Sequence, residues 1–482
     1  MTAPGLLERL DQRWSRVTIV LMLLAVLGLS LGWSTKAACV QTYRMADGQQ
    51  VLDWRDWKQY RDHCYSDVIP LYGLERLQDG DLPYKTSWTD SADGPARYME
   101  YPVVTGMLQY GVMKVTKAVV GTEDATKPHR PEVIVYFTVM ALFLALAWLV
   151  AVWCTIPLTA RKRDVALMAL SPLVAVHAFT NFDTLAVALA AGGMLAWARQ
   201  RPALAGLLLG LGAAAKLYPL FILGALLVLC LRTNRMRPWW DATLAAAAAW
   251  VVVNVPIAVL YPDGWREFFR LNSTRPADHD SVYNAISVLT GWGGFDGPLY
   301  QGDSPKVLNL VSLGLFALVC VGVAALGLLA PHRPRVAALA FLIVAGFLLT
   351  NKVWSPQYSL WLVPLAVLAI PRWIPLLIWM SVDAYLWWPR LGYFINLAIP
   401  GDGNSAEYFV KVVLVRDLLV LILCAIVVWT IFRPDHDPVR ATGADDPAGG
   451  PLDGAPTGRL RWRELKPFGE SVPAVKEPEP VS

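Results

Sequence analysis

The chain has 482 residues, 55% of them hydrophobic and only 17% charged, and its mean hydropathy is +0.42. Such a composition excludes a water-soluble globular enzyme and indicates a polytopic membrane protein. A formal net charge of +4 gives no support for nucleic-acid binding; what informs is where Arg and Lys fall between the apolar runs.

Arg9, Arg13 and Arg16 precede an apolar stretch, 17–33, with no small-residue cleavage pattern after it, so the stretch reads as a first membrane helix rather than a signal peptide. The polar segment that follows, 34–130, holds Cys39 and Cys64, whereas Cys154, Cys230, Cys320 and Cys424 sit in apolar runs as small hydrophobes. In an oxidising outer compartment Cys39 and Cys64 form a disulfide; the alternative is two unrelated thiols. Acids are frequent in this loop (Asp53, Asp56, Asp67, Asp79, Asp81), and most read as solvated. Asp67 differs, because the apolar Val68-Ile69-Pro70-Leu71-Tyr72 places it where the loop returns to the membrane. Segment 102–120 is apolar enough to cross, but a crossing would move Arg161, Lys162 and Arg163 to the outside. It is therefore expected to be an outer re-entrant or interfacial segment.

Further apolar runs cover 133–156, 165–179, 184–197, 203–215, 220–231, 242–259, 307–330, 336–349, 359–370, 374–387 and 410–432. A spanning helix needs about 20 such residues, so the shorter runs imply a thinned or water-filled region. Basic residues collect at alternate junctions: Arg161 to Arg163, Arg199 and Arg201, Arg232 to Arg237, Arg333 and Arg335, Arg372, and Arg433. With these inside, the expectation is an all-α integral membrane protein of about 12 transmembrane helices in the plasma membrane, both termini cytoplasmic. A membrane domain over 1–432 then carries long outer loops at 34–130 and 261–306. The Pro-, Asp- and Gly-rich segment 433–482 is expected to be a disordered cytoplasmic tail. Trp and Tyr at helix ends, such as Trp239-Trp240 and Trp387-Trp388, read mainly as interfacial belts.

Ionisable residues recur at the outer ends of short runs: Asp183 in Asn181-Phe182-Asp183, Lys216 in Lys216-Leu217-Tyr218-Pro219, and Lys352 in Asn351-Lys352-Val353-Trp354. Singly, each lysine reads as snorkelling to the interface. Together with Arg275 they make a cationic outer pocket suited to a phosphate or diphosphate. No cluster has metal-ligand spacing. Asp278 and Asp280 are acids able to take a divalent ion but read as solvated loop charges, and no cofactor is expected.

Asp67 to Tyr72, Gly80-Asp81-Leu82-Pro83-Tyr84, Glu100-Tyr101-Pro102, Asn181 to Leu185, Lys216 to Leu220 and Ser355-Pro356-Gln357-Tyr358-Ser359-Leu360-Trp361 follow in order from about 67 to 365. This set resembles the polyprenol-phosphate-sugar-dependent glycosyltransferases of the GT-C class, family 87, whose actinobacterial members include mannosyltransferases. The resemblance implies a GT-C type bundle with Asp67 as catalytic base. It implies substrate contacts from Tyr72, Tyr84, Tyr101, Tyr218, Gln357 and Tyr358, with Asp183 orienting a lysine or binding sugar hydroxyls. Pro70 stretches the Asp-to-Tyr spacing to five, and Gln357 stands where some members carry His. The implied reaction moves a sugar, mannose before arabinofuranose, from a polyprenyl phosphate to a glycolipid or polysaccharide acceptor at the outer face. Lys216, Arg275 and Lys352 would hold the donor phosphate. A lipid or solute transporter or flippase is the competing class, and an envelope scaffold a third. Polar residues at one face rather than the midplane, and halves that do not repeat, favour the enzyme.

Overall fold

The computed structural model describes residues 15–89, 94–121, 130–300, 302–456 and 458. Arg9, Arg13, residues 122–129 of the first loop and most of the tail after Pro456 lie outside the described residues. The described residues are mostly helical, and among them a small hairpin of β1 (Thr42–Arg44) and β2 (Gln50–Leu52) supplies the strand, with Thr42 opposite Leu52.

Among the described residues, five helices are long and apolar enough to cross a bilayer. They are α1 (Arg16–Lys36, continued by a 3₁₀ turn to Val40) and α4 (Glu132–Thr155), which respectively precede and follow the first loop's short helices α2 (Val68–Leu74) and α3 (Val103–Val120). The others are α10 (Met236–Leu260), α13 (Lys306–Leu329) and α18 (Ala406–Phe432). Between α4 and α10 lie α5 (Ala166–Ala169), α6 (Pro172–His177), α7 (Asp183–Ala198), α8 (Pro202–Ala213) and α9 (Pro219–Thr233). Two outer-loop helices, α11 (Pro262–Thr274) and α12 (Val282–Thr290), precede α13; α14 (Val336–Thr350), α15 (Ser359–Ala369), α16 (Trp373–Tyr385) and α17 (Trp387–Ala398) precede α18.

Length sorts these helices into layers. At 1.5 Å per residue, α7, α8, α9 and α14 extend about 18–24 Å, short of a bilayer's apolar thickness of about 30 Å. Among them α14, like the neighbouring α15, is buried along nearly its whole length. The full-length α10 and α13 bury few residues and present apolar side chains outward, as a lipid-facing layer must. Close approach between α8 and α10 rests on small residues. A Cβ on Gly206 would stand 1.9 Å from the Ala242 carbonyl oxygen, and one on Gly210 would stand 2.3 Å from that of Ala246.

Two expectations are corrected. The run 165–179, read as one spanning helix, is two short helices, α5 and α6. Pro172 lacks an N–H to continue the helix, and the Ser171 hydroxyl instead caps α6 by accepting from the Leu173 N–H at 3.2 Å. The segment read as a disordered tail is folded from Arg433 to Pro456. Its acids and carbonyls meet the arginines at the helix ends: Arg335 pairs with Asp437 at 2.7 Å, Arg333 with Asp445 at 2.5 Å, and Arg235 donates to the Pro451 carbonyl at 2.7 Å. Trp197 donates to the Gly449 carbonyl at 2.9 Å. Gly450 sits at φ +55°, where a Cβ would meet the Trp197 carbonyl oxygen at 2.0 Å, so only glycine fits. Composition alone hides this, because the partners come from three separate places in the chain, before α14, before α10 and at the end of α7.

At the opposite end of the bundle the first loop is pinned. The disulfide Cys39–Cys64 is present. The Ser66 hydroxyl donates to the Phe179 carbonyl at 2.7 Å, and the Asp67 N–H donates to the Thr180 carbonyl at 2.8 Å. Segment 102–120 forms α3, and both its ends stay at this end of the bundle. Val104 N–H donates to the Ala214 carbonyl near its start, and Lys117 near its finish pairs with Glu132 at 3.2 Å, where α4 begins.

Candidate active site

Where α2, α7, α9, α11, α15 and α17 converge, a cavity of about 670 Å³ is lined by Asp67, Glu100, Tyr101, Asn181, Lys216, Arg275, Gln357, Tyr358 and Arg390, among others. Asp67 begins α2, and the Ser66 and Thr180 bonds fix its backbone against the turn before α7. That turn supplies Asn181, whose amide is held in one orientation: its Oδ1 accepts from the Phe182 N–H at 2.7 Å. Its Nδ2 therefore faces the cavity and donates to Asp67 Oδ2 at 2.7 Å and to the Tyr101 hydroxyl at 2.8 Å. Gln357 Nε2 approaches the same Oδ2 at 3.5 Å. The Oδ2 of the carboxylate is thus oriented by two side-chain amides.

Lys216 follows the end of α8, and its ammonium lies 3.7 Å from Asp183 Oδ1, 5.0 Å from the Tyr358 ring centroid and 5.3 Å from that of Tyr101. Burial disfavours its charge, but Asp183, Tyr358 and Asp67 outweigh burial and leave its pKa above the usual lysine value. Lys216 stays cationic. Asp183 is itself buried and accepts from Trp361 Nε1 at 2.8 Å, so it acts from behind the cavity wall. Trp361 stacks between Tyr358 at 4.2 Å and Tyr218 at 4.7 Å; Tyr358 lines the cavity and Tyr218 is the buried back of the stack.

Arg275 lines the cavity beside Asp278, 3.1 Å away, which together with Tyr358 and Glu100 raises its pKa against the effect of burial. Lys352 does not line the cavity. Its ammonium donates to the Arg275 carbonyl at 2.6 Å and to Asn309 Oδ1 at 2.5 Å, so it braces the loop that carries Arg275. Desolvation and the Arg275 charge lower its pKa to about 8. Tyr84 is buried behind Tyr101 and donates to its carbonyl at 2.9 Å. Tyr72 points elsewhere, stacking on Tyr136 at 4.3 Å and bonding Glu132. The two acids weighed as ion ligands are each paired with arginine, Asp278 with Arg275 and Asp280 with Arg390 at 2.7 Å.

The lining residues not singled out from the sequence as site residues include Asn181, Glu100, Tyr65, Trp387 and Arg390. Asn181 and Glu100 lie inside quoted motifs, so the signal was present. Burial raises the pKa of Glu100, with Arg275 opposing and Asp67 adding to the shift. Arg390 follows Trp387-Trp388-Pro389, a string indistinguishable in one dimension from an interfacial belt. The cavity's other rim is apolar, with Leu71, Leu74, Leu217, Phe268, Leu271 and Phe347, and Leu74 and Leu217 are exposed on the outside of the bundle.

Residues 130–356 match the family model of glycosyltransferase family 87. The matched stretch contains Asn181, Asp183, Lys216, Arg275 and Lys352, while Asp67, Glu100 and Tyr101 precede it and Gln357 follows. No curated protein matches the chain.

Proposed function

We propose that this helical membrane chain is a family 87 glycosyltransferase that transfers a sugar, mannose first, from a polyprenyl phosphate to an acceptor hydroxyl with inversion at the anomeric carbon. The observation that carries the reading is the cavity itself: one amide-oriented carboxylate, Asp67, shares it with the cations Lys216 and Arg275, and it opens through an apolar rim. A phosphate is already a good leaving group, so one base suffices, unlike the two carboxyls of glycoside hydrolases. Asp67 takes the acceptor O–H proton as the acceptor oxygen bonds to the anomeric carbon. The bond from that carbon to the phosphate oxygen breaks, its electron pair leaves with the polyprenyl phosphate, and Lys216 and Arg275 stabilise the charge that gathers there. Lys352 contributes by holding the Arg275 loop, and Asp183 by holding Lys216. Tyr101, Tyr358 and Gln357 face the sugar, with Tyr218 and Tyr84 supporting them from behind. The exposed Leu74 and Leu217 suit a prenyl chain entering sideways from lipid.

The arginine-rich end, with the folded segment 433–456, is the cytoplasmic side in this reading, and the cavity faces outward across the plasma membrane in a bundle of about 12 crossings. A glycolipid or polysaccharide of the envelope is the acceptor, and no metal is required. The test is purified protein in lipid, given a panel of polyprenyl-phosphate sugars and radiolabel transfer as readout. Transfer from polyprenyl-phosphate mannose is expected; absence of transfer from every donor refutes the reading and favours a transporter.

A further inference from the structure

The cavity has a second half that donor binding does not use. Lys216 and Arg275 cluster around Tyr101, Tyr358 and Glu100. Arg390 belongs to a different set, beside Tyr60, Tyr65 and Phe394, with its guanidinium 4.5 Å from the Phe394 ring centroid. Asp67 is within electrostatic reach of both sets. In an inverting displacement the nucleophile and the leaving group occupy opposite faces of the anomeric carbon. With the donor phosphate on Lys216 and Arg275 and the acceptor hydroxyl on Asp67, the rest of the acceptor extends away from those cations. That direction is the Tyr65 and Arg390 wall.

Arg390 is built to hold something there. Its Nε is anchored to Asp280 Oδ2 at 2.7 Å, and Asp280 is fully buried. Asp280 is fixed in turn from α18, where Arg416 donates to its carbonyl at 2.7 Å while stacking 3.7 Å from the Trp354 ring centroid. Trp387 is tied back by its Nε1 to the His63 carbonyl at 2.8 Å. Among the described residues, neither Nη group of Arg390 has a hydrogen-bond partner, although the side chain is only 12% exposed and lines the cavity. Two unused donors in a fixed fork match two adjacent oxygens.

We infer that Arg390, positioned by Asp280, binds the acceptor, donating through its two Nη groups to adjacent hydroxyls of a saccharide unit placed next to Asp67. This rests on the proposed transfer reaction but is tested apart from it. Methyl α-mannoside and a panel of other methyl glycosides are titrated into wild-type protein in nanodiscs, with no donor present, and compared with Arg390→Lys and Arg390→Gln. The lysine variant keeps the charge beside Asp280 but loses the fork, so it remains informative where the glutamine variant fails to fold. Binding by wild type that weakens about tenfold or more in Arg390→Lys is expected, the loss of about one charge-assisted hydrogen bond. Where transfer is measurable, the acceptor KM rises by the same factor and the donor KM is unchanged. Absence of glycoside binding by wild type, equal binding by wild type and Arg390→Lys, or a rise confined to the donor KM overturns the inference. Glycoside binding without transfer from any polyprenyl-phosphate donor sinks the donor reading and leaves this one standing.

Discussion

Replacing Asp67 by Asn removes a proton acceptor while changing little else. The two side chains have the same shape, the Ser66 and Asp67 backbone tethers do not involve the carboxylate, and an amide oxygen still accepts from Asn181 at the 2.7 Å position. With its oxygen facing Asn181, the new amide turns its NH₂ toward the acceptor, where it donates and cannot take a proton. A positioned general base contributes about 10²–10⁴ in rate, which at 1.36 kcal/mol per decade is about 2.7–5.4 kcal/mol of barrier. The expected result is therefore a kcat lower by two to four decades, with both KM values within a few-fold and an unchanged thermal midpoint. Single-turnover transfer of labelled sugar in lipid measures it. Asn181→Ala leaves the carboxylate charged but unaimed, and a misplacement of about 1 Å costs up to about 10²-fold, so this variant should fall between wild type and Asp67→Asn. An Asp67→Asn protein that folds and transfers sugar at the wild-type rate refutes the base assignment.

Lys216→Met strands Asp183 in a buried site with only Trp361 as partner, and breaking such a pair costs about 3–5 kcal/mol. Adding Asp183→Asn should restore the thermal midpoint but not donor affinity, separating the lysine's structural role from its phosphate contact. Asp437→Asn should lower the midpoint by a similar amount, because Arg335 is 4% exposed and loses its bidentate partner; an unchanged midpoint would mean the folded tail contributes nothing. Gly210→Leu should abolish a stable, monodisperse protein, since even a Cβ there meets backbone at 2.3 Å; normal expression and gel-filtration behaviour would contradict the α8–α10 packing. Glu75 is buried, and burial followed by the Glu100 charge raises its pKa well above the ordinary carboxyl value. Its contribution to stability is therefore full below the unfolded value near 4.5 and is lost as pH rises through the folded value. Glu75→Gln should melt above wild type at pH 8 and with it at pH 4, as read by thermal unfolding in detergent; equal melting at pH 8 would refute the assignment.

The apolar runs survive as helices because hydropathy is a local property that a bilayer enforces residue by residue. Runs 133–156, 242–259 and 307–330 became α4, α10 and α13 within a few residues. Asp67 and Lys216, which line the cavity, stand out in the sequence because charge beside apolar sequence is costly wherever it falls. Lines of sequence do not tell which side of a residue is occupied. Lys352 carries the same signal as Lys216, yet Asn309 and the Arg275 carbonyl claim its ammonium, so it braces rather than lines. Tyr72 shares a motif with Asp67 but turns to Tyr136, one face of α2 away. Asn181, Arg390 and the folded tail depended on partners 114, 110 and 102 residues distant, Asp67, Asp280 and Arg335. Hydropathy sets the membrane class and most of the long helices, and composition sets the acids and bases available. Which of them meet is set by the packing of the bundle, because a polar group's role follows from its partner, and partners across a helical bundle leave no local trace.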